Sequence, residues 1–409
     1  MSERPGPLRI AVVGACPFPT AQGSQVLIRQ HAEALTRRGH DVTVLAYHFG
    51  EDGVGALVPT VRTPPLPGYQ KLRSGPAWGK LILDSLLGAR LRHLVRDRGI
   101  DVIHAHGYEG ALVAIAVGRW ARVPVVYHGH GALEHELPTY FRGAVLAAAA
   151  RRLGRCFDAF VPRWASHCVA VSPALRTRLV SRGGVPPDRA TWVPPGITFE
   201  PAHPESVAAV ARRLGLDRQQ PVVVYTGNLD RYQRLDLLVA ALPTIFARMP
   251  TARVVLATHG PVGREVAVAD PRVLVLPRVS FDDVRALLGV AAVAVVPRTC
   301  PYGFPIKLLN ALAAGTATVA FRSAAQFLSD ARPPALVLVD EPSPAALGGA
   351  VGDLLQEGRL QAHLGARARA LVRERFEWSV VVEALERIYV SVTEGRCGHA
   401  VTRARLAES

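Results

Sequence analysis

Short runs of apolar, largely β-branched residues alternate with longer stretches in which apolar positions recur at helical spacing, through almost the whole chain. Leu8 to Val13 is the first run, followed by a loop rich in Gly, Pro and Gln, the usual sequel to a buried parallel strand. Ser24 to Arg38 then sets Val26, Leu27, Ala34 and Leu35 on one helical face, with Ser24 as the expected N-cap and Gly39 as the stop. Asp41 to Ala46 is the second strand, so the segment closes a β-loop-α-β unit. A helix over Lys80 to Arg98, a strand at Asp101 to His106, a helix near Ala111 to Ala121 and a strand at Pro124 to His130 continue the cycle. Cys168 to Val171 and Thr191 to Val193 complete the strands of this half.

Val193 to Glu205 is Pro-rich and without pattern, and reads as a linker. The cycle then restarts: Val222 to Tyr225, Arg253 to Ala257, Val273 to Leu276, Ala292 to Val296 and Thr318 to Phe321 are short β-branched runs separated by helical patterns. Two successive open parallel sheets with right-handed crossovers follow. The fold class is therefore α/β, with two doubly wound parallel-sheet domains over residues 1–196 and 197–378, a division that suits a chain of 409 residues. Within residues 379–409 an amphipathic helix, Ser379 to Thr393, carries Val382, Leu385, Ile388 and Tyr389 and is expected to pack back on the first domain, ahead of a tail.

A formal charge of +15 invites nucleic acid or a membrane as partner. Only Lys71, Lys80 and Lys307 are lysines; the other basic residues are arginines amid heavy Ala, Gly and Pro use, so part of the charge reflects compositional bias. No interleaving of aromatic and basic residues marks a nucleic-acid surface, and none is expected to bind. Apolar stretches such as Val290 to Pro297 and Ala144 to Ala150 fall short of the roughly 18 to 20 residues of a spanning helix. The opening run reads as a strand rather than a signal peptide, so a cytoplasmic protein is expected. Cys16, Cys156, Cys168, Cys300 and Cys397 are scattered without CxxC spacing and read as reduced, mostly buried thiols.

CPYGFPIKLLNALAAGTATVAF, from Cys300 to Phe321, follows a strand, crosses a Gly/Pro loop and enters an apolar helix that stops at Gly315. That order puts Gly303 to Lys307 at a helix N-terminus, whose free N–H groups and dipole, worth about half a charge, suit a diphosphate. Lys307 is a cation where the dipole disfavours one, which points to an anionic ligand; a surface lysine at a helix start is the plainer alternative. Gln22, Gly23 and Ser24 occupy the first strand-to-helix loop, and His130 ends a strand at the carboxyl edge where open α/β sheets bind ligands. Glu134 and Glu136 follow that strand end and either meet an acceptor or simply start a helix. The spacing of His104, His106 and His128 is not a metal motif, and no DxD-like cluster is present.

With RRGHDVTVL, DVIHAH, VAVSPAL, VPPG, VVVYTGNL and GFPIKLLNALAAG in this order, the chain resembles glycosyltransferase family 4, a family of retaining enzymes with the GT-B fold. The resemblance covers essentially the whole chain and implies two Rossmann-like domains facing across a cleft, the first on the acceptor side and the second binding the nucleotide sugar. The family's paired glutamates fall on Tyr302 and Asn310, and its diphosphate-gripping Arg and Lys on Asn228 and Gln233, so GNLDRYQ with GFPIKLLN marks a subgroup. Arg231, Arg234 and Lys307 are then the nearby cations left to offset the diphosphate. Carried over residue by residue, the resemblance makes His130 and Lys307 catalytic. It gives Gly23, Gly227, Asn228, Arg231, Gln233, Arg234, Tyr302, Gly303, Phe304, Pro305, Ile306 and Asn310 to the donor, and Gln22, Ser24, Glu134 and Glu136 to the acceptor side.

The implied reaction moves a sugar from a UDP- or GDP-linked donor to an acceptor hydroxyl with retention, with no metal or other cofactor. The acceptor class stays open among glycan, lipid and small molecule. Tyr69 to Arg96 and Phe141 to Phe157 mix apolar and basic residues, either to touch an anionic membrane or as ordinary outer helix faces. A nucleotide-sugar epimerase of this architecture and a catalytically silent nucleotide-sugar-binding protein are the alternatives; the first needs acid/base carboxylates that the sequence does not show.

Overall fold

The computed structural model describes residues 6–20, 23–50, 57–71, 75, 77–198, 200–217, 219–258 and 268–407, with side chains to 394. Contacts divide the chain into two units, Met1–Gly196 with Tyr302–Phe304 and Trp378–Ser409, and Ile197–Pro301 with Pro305–Glu377.

The first unit holds a parallel sheet of seven strands: β1 (Arg9–Gly14), β2 (Asp41–Ala46), β3 (Thr60–Arg62), β4 (Val102–His106), β5 (Val125–Gly129), β6 (His167–Ala170) and β7 (Ala190–Trp192). Their order is β3-β2-β1-β4-β5-β6-β7, so the winding reverses between β1 and β4. The second unit holds six: β8 (Val222–Thr226), β9 (Arg253–Ala257), β10 (Val273–Leu276), β11 (Val293–Val296), β12 (Ala317–Phe321) and β13 (Val337–Val339), in the order β10-β9-β8-β11-β12-β13. Here the reversal lies between β8 and β11. All these pairings are parallel, which requires crossovers, and both faces of each sheet are covered.

Period-2 alternation accounts for the core of the second unit. Val223 and Tyr225 of β8 face one apolar cluster with Leu238, Ile245 and Phe246, while Val222 and Val224 face another with Val284, Leu287 and Ala311. Each fully buried Leu or Ile here contributes about 1.5–3 kcal/mol over leaving it exposed. The edge strands β3 and β13 escape the sequence pattern because they are three residues long and mostly only partly buried.

The C-terminal helix runs Trp378–Ala407, longer than the span Ser379 to Thr393 read from the pattern, and belongs to the first unit. Its Glu386 carboxylate accepts from Arg38 at 3.0 and 2.7 Å and meets His40 at 3.2 Å; the Trp378 ring lies against Gly196, where a Cβ would come within 2.4 Å of it. Two expectations need correction. The first helix begins at Gly23, so Ser24 sits inside its opening turn rather than capping it. Among the four described cysteines only Cys168 is buried; Cys156 is exposed, because the helix Ala144–Phe160 turns that face outward. No described helix is long and apolar enough to cross a membrane.

Candidate active site

In the second unit the switch point between β8 and β11 is where an open α/β sheet offers its carboxyl-end crevice. Gly227 follows β8 with φ +134°, a region that side chains rarely enter. Its missing side chain is what admits Lys307: a Cβ there would stand 2.6 Å from the lysine Nζ. Lys307 lies in the first turn of the helix Ile306–Ala314, and its ammonium donates to the Tyr225 hydroxyl at 2.9 Å and sits 4.2 Å from that ring's centre. Burial and the Arg298 guanidinium push its pKa well below the usual lysine range, against the opposing pull of Asp230. The lysine is thus half-buried against Tyr225 rather than free in solvent, the alternative that its place at a helix start left open.

The GNLDRYQ loop wraps the same point. Asn228 Nδ2 donates to Asp230 at 2.5 Å and to the Tyr232 hydroxyl at 3.1 Å, while the Asn228 Oδ1 and Gln233 Oε1 are buried without a hydrogen-bond partner. Arg231 is exposed on the short turn Arg231–Gln233, and Arg234, at φ +56°, spends its guanidinium on Asp236 at 2.9 and 3.0 Å. The cation acting on Lys307 is instead Arg298, at the end of β11 and 5.3 Å from the Tyr232 ring centre. Sequence reasoning passed over it, although a basic residue directly after a strand of the switch point was a usable signal. Pro305 caps the Lys307 helix, Ile306 opens it and Asn310 lies one turn on. Tyr302, Gly303 and Phe304 group with the first unit, where Tyr302 stacks on His135 with ring centres 4.8 Å apart.

In the first unit His130 follows β5 directly and is half-buried; burial pushes its pKa down to about 4, so the ring is neutral near pH 7. Gly23 and Ser24 are exposed at the start of the first helix, and Gln22 lies outside the described residues. Glu134 is buried and committed: Arg155 donates to it at 2.7 and 3.0 Å, and Arg178 pairs with both Glu134 and Asp158. Those arginines outweigh burial and hold its carboxyl down at about 2. The Glu136 carboxylate accepts from the Tyr140 hydroxyl at 2.8 Å. The segment around Tyr69 to Arg96 folds mostly as the helix Trp78–Arg98, and Phe141 to Phe157 as most of the helix Ala144–Phe160, which is exposed over most of its length.

A feature the sequence reading set aside is a buried histidine cluster. His104 and His106 share one face of β4, and the neighbouring strand brings His128 and His130 alongside, with His106 paired in register to His128. His31, from the helix Gly23–Arg37, closes over them, and ring nitrogens of His31, His104, His106 and His128 all lie within 4.8 Å of one another. The doubled His-x-His on successive strands was the signal; that the strands are adjacent and that His31 covers them was not legible.

Two doubly wound parallel-sheet units, each carrying its polar residues at the carboxyl ends of the central strands, make up the GT-B fold. Residues 21–200 match the profile described as Glycosyltransferase Family 4, and residues 220–357 the one described as Glycosyl transferases group 1. The chain belongs to glycosyltransferase family 4. It is 29% identical to a D-inositol 3-phosphate glycosyltransferase of Acidothermus cellulolyticus, over 94% of this chain and 90% of that one. It is 27% identical to a phosphatidyl-myo-inositol mannosyltransferase of Mycobacterium tuberculosis, over 94% and 97%. Among solved structures, sucrose-phosphate synthase of Thermosynechococcus elongatus superposes with a TM-score of 0.77 at 19% identity over 95% of this chain and all of that one. The Anabaena protein HepE, solved with UDP-glucose, does so at 0.71 and 17% over 94% and all of it.

Proposed function

We propose that the enzyme transfers a hexosyl group from a UDP- or GDP-linked sugar to an acceptor hydroxyl with retention at the anomeric carbon. The observation that carries this reading is the half-buried Lys307 at the start of an apolar helix. It is packed over Gly227 and near Arg298, and no carboxylate contacts it among the described hydrogen bonds and ion pairs. Arg298, a Lys307 whose charge a bound anion would restore, and a helix N-terminus suit the leaving diphosphate, with Asp230 as the acid acting on the lysine. As the bond from the anomeric carbon to the phosphate oxygen breaks, that oxygen takes the acceptor's proton on the same face while the acceptor oxygen bonds to carbon. The reaction so written needs neither an enzyme nucleophile nor a metal. Asn228, Gln233 and Asn310 hydrogen-bond the donor, and neutral His130 meets the sugar. Inositol phosphate and phosphatidylinositol, which the names of two relatives carry, are the first acceptors to try.

A thermal-shift panel of UDP-, GDP- and ADP-sugars, followed by transfer assays with these acceptors, tests the reading. Lys307→Ala should lower kcat about 10²–10³-fold, the scale of losing one group that stabilises transition-state charge. Unchanged kinetics would remove Lys307 from the mechanism, and inversion in the product would overturn the stereochemical assignment.

A further inference from the structure

Five contacts, four of them buried and the one at His130 partly so, join six groups of the first unit end to end. His130 Nε2 meets His106 Nδ1 at 2.9 Å, and His106 Nε2 meets His31 Nδ1 at 3.1 Å. His31 Nε2 meets the Tyr389 hydroxyl at 3.1 Å, and that hydroxyl meets His104 Nδ1 at 2.7 Å. Last, His104 Nε2 meets His128 Nδ1 at 3.0 Å, and His128 Nε2 is buried without a partner. The three middle histidines use both ring nitrogens, and Tyr389 sits halfway.

A neutral imidazole has one N–H and one bare nitrogen, and a hydroxyl donates once. Burial, first of all, keeps these rings neutral. If all five hydrogen bonds are made and the Tyr389 hydroxyl also donates, only two proton arrangements exist. Either every ring carries its proton on Nε2 and the bonds run from His130 toward His128, or every ring carries it on Nδ1 and they run back. A mixture that changes over at Tyr389 leaves its O–H without an acceptor, and one that changes over elsewhere puts two N–H groups, or two bare nitrogens, face to face; either leaves a buried group desolvated, at about 1–3 kcal/mol.

We propose that His31, His104, His106, His128 and Tyr389 act as one hydrogen-bonded unit through which the C-terminal helix sets the tautomer, and so the donor or acceptor character, of His130. Tyr389 is then a positioning residue, nowhere near the donor lysine in sequence and acting only through the rings. A metal ion is the competing use of the cluster. An ion between the facing nitrogens would need them all bare, so every outer nitrogen would be an N–H. Tyr389 would then accept two bonds and lose the acceptor for its own hydroxyl. The charges acting on these four rings come from other histidines, with no carboxylate to offset a cation.

This inference rests on the catalytic reading of His130, but its test does not. In the full chain labelled with ¹⁵N-histidine, long-range ¹H–¹⁵N correlations report each ring's tautomer, with signals assigned from single variants such as His130→Asn. All five rings should show the same tautomer. In Tyr389→Phe the change should reach His106 and His130 as well as His31 and His104, and kcat should fall more than KM changes. Mixed tautomers in the wild type, or a change confined to His31 and His104, would overturn the proposal, as would stoichiometric Zn²⁺ uptake that shifts the four ring signals. Uniform tautomers with full activity in His130→Asn would leave the unit standing and remove His130 from catalysis.

Discussion

Lowering the pH from 7 to 5 should destabilise the first unit, and the magnitude follows from its neutral rings. Burial holds His31 at about 3 and His130 at about 4, and pushes His104, His106 and His128 well below the usual value. The unfolded chain titrates near 6.5, so below that pH it takes up protons that the folded unit refuses. The stability these rings allow is therefore present above about pH 6.5 and is lost as pH falls toward 4. At pH 5 His31 and His130 each favour the unfolded state by about 2 kcal/mol relative to pH 7, about 4 kcal/mol together, and His104, His106 and His128 act in the same direction. That is a large share of the whole stability of an ordinary domain, about 5–15 kcal/mol. Urea titrations followed by tryptophan fluorescence at several pH values would measure it, the slope near pH 5 reaching two protons or more. A stability that falls by less than about 2 kcal/mol between pH 7 and 5 would refute the reasoning, since the rings would then charge without unfolding.

Two further outcomes are expected. Gly227→Ala forces a side chain into φ +134° and drives the Lys307 ammonium from Tyr225, so it should cost about 1–3 kcal/mol of backbone strain and weaken donor binding. Chemical denaturation with and without UDP measures both, and wild-type stability with wild-type binding would sink the steric account. The helix Ala144–Phe160 exposes Val145 at 83% and Leu146 at 57% on a helix that also carries Arg151, Arg152 and Arg155. Vesicles with phosphatidylglycerol should float the protein and Val145→Glu with Leu146→Glu should abolish recovery; no recovery of the wild type would remove membrane contact from the picture.

The order of elements was open to the sequence because buried parallel strands need near-continuous apolar runs and their crossovers need amphipathic helices. For the same reason Gly227, Lys307 and His130 stood out at strand ends and a helix start, where chain order alone fixes the carboxyl edge. Individual side-chain partners were not legible. Arg234 is spent on Asp236 and Glu134 on two arginines, while Arg298 acts on Lys307 from the loop that joins β11 to its helix. Those outcomes depend on how loops turn and where the chain returns.

The histidine cluster draws the line most clearly. Sequence by itself determined that His104 and His106 share one face of a strand, and His128 and His130 one face of the next, because side chains alternate with period two. Only the tertiary structure decided that the two strands lie side by side, that a helix lays His31 over them, and that the C-terminal helix places Tyr389 between His31 and His104. Periodicity is a property of a few successive residues, whereas partners more than two hundred positions apart are chosen by how the whole core packs.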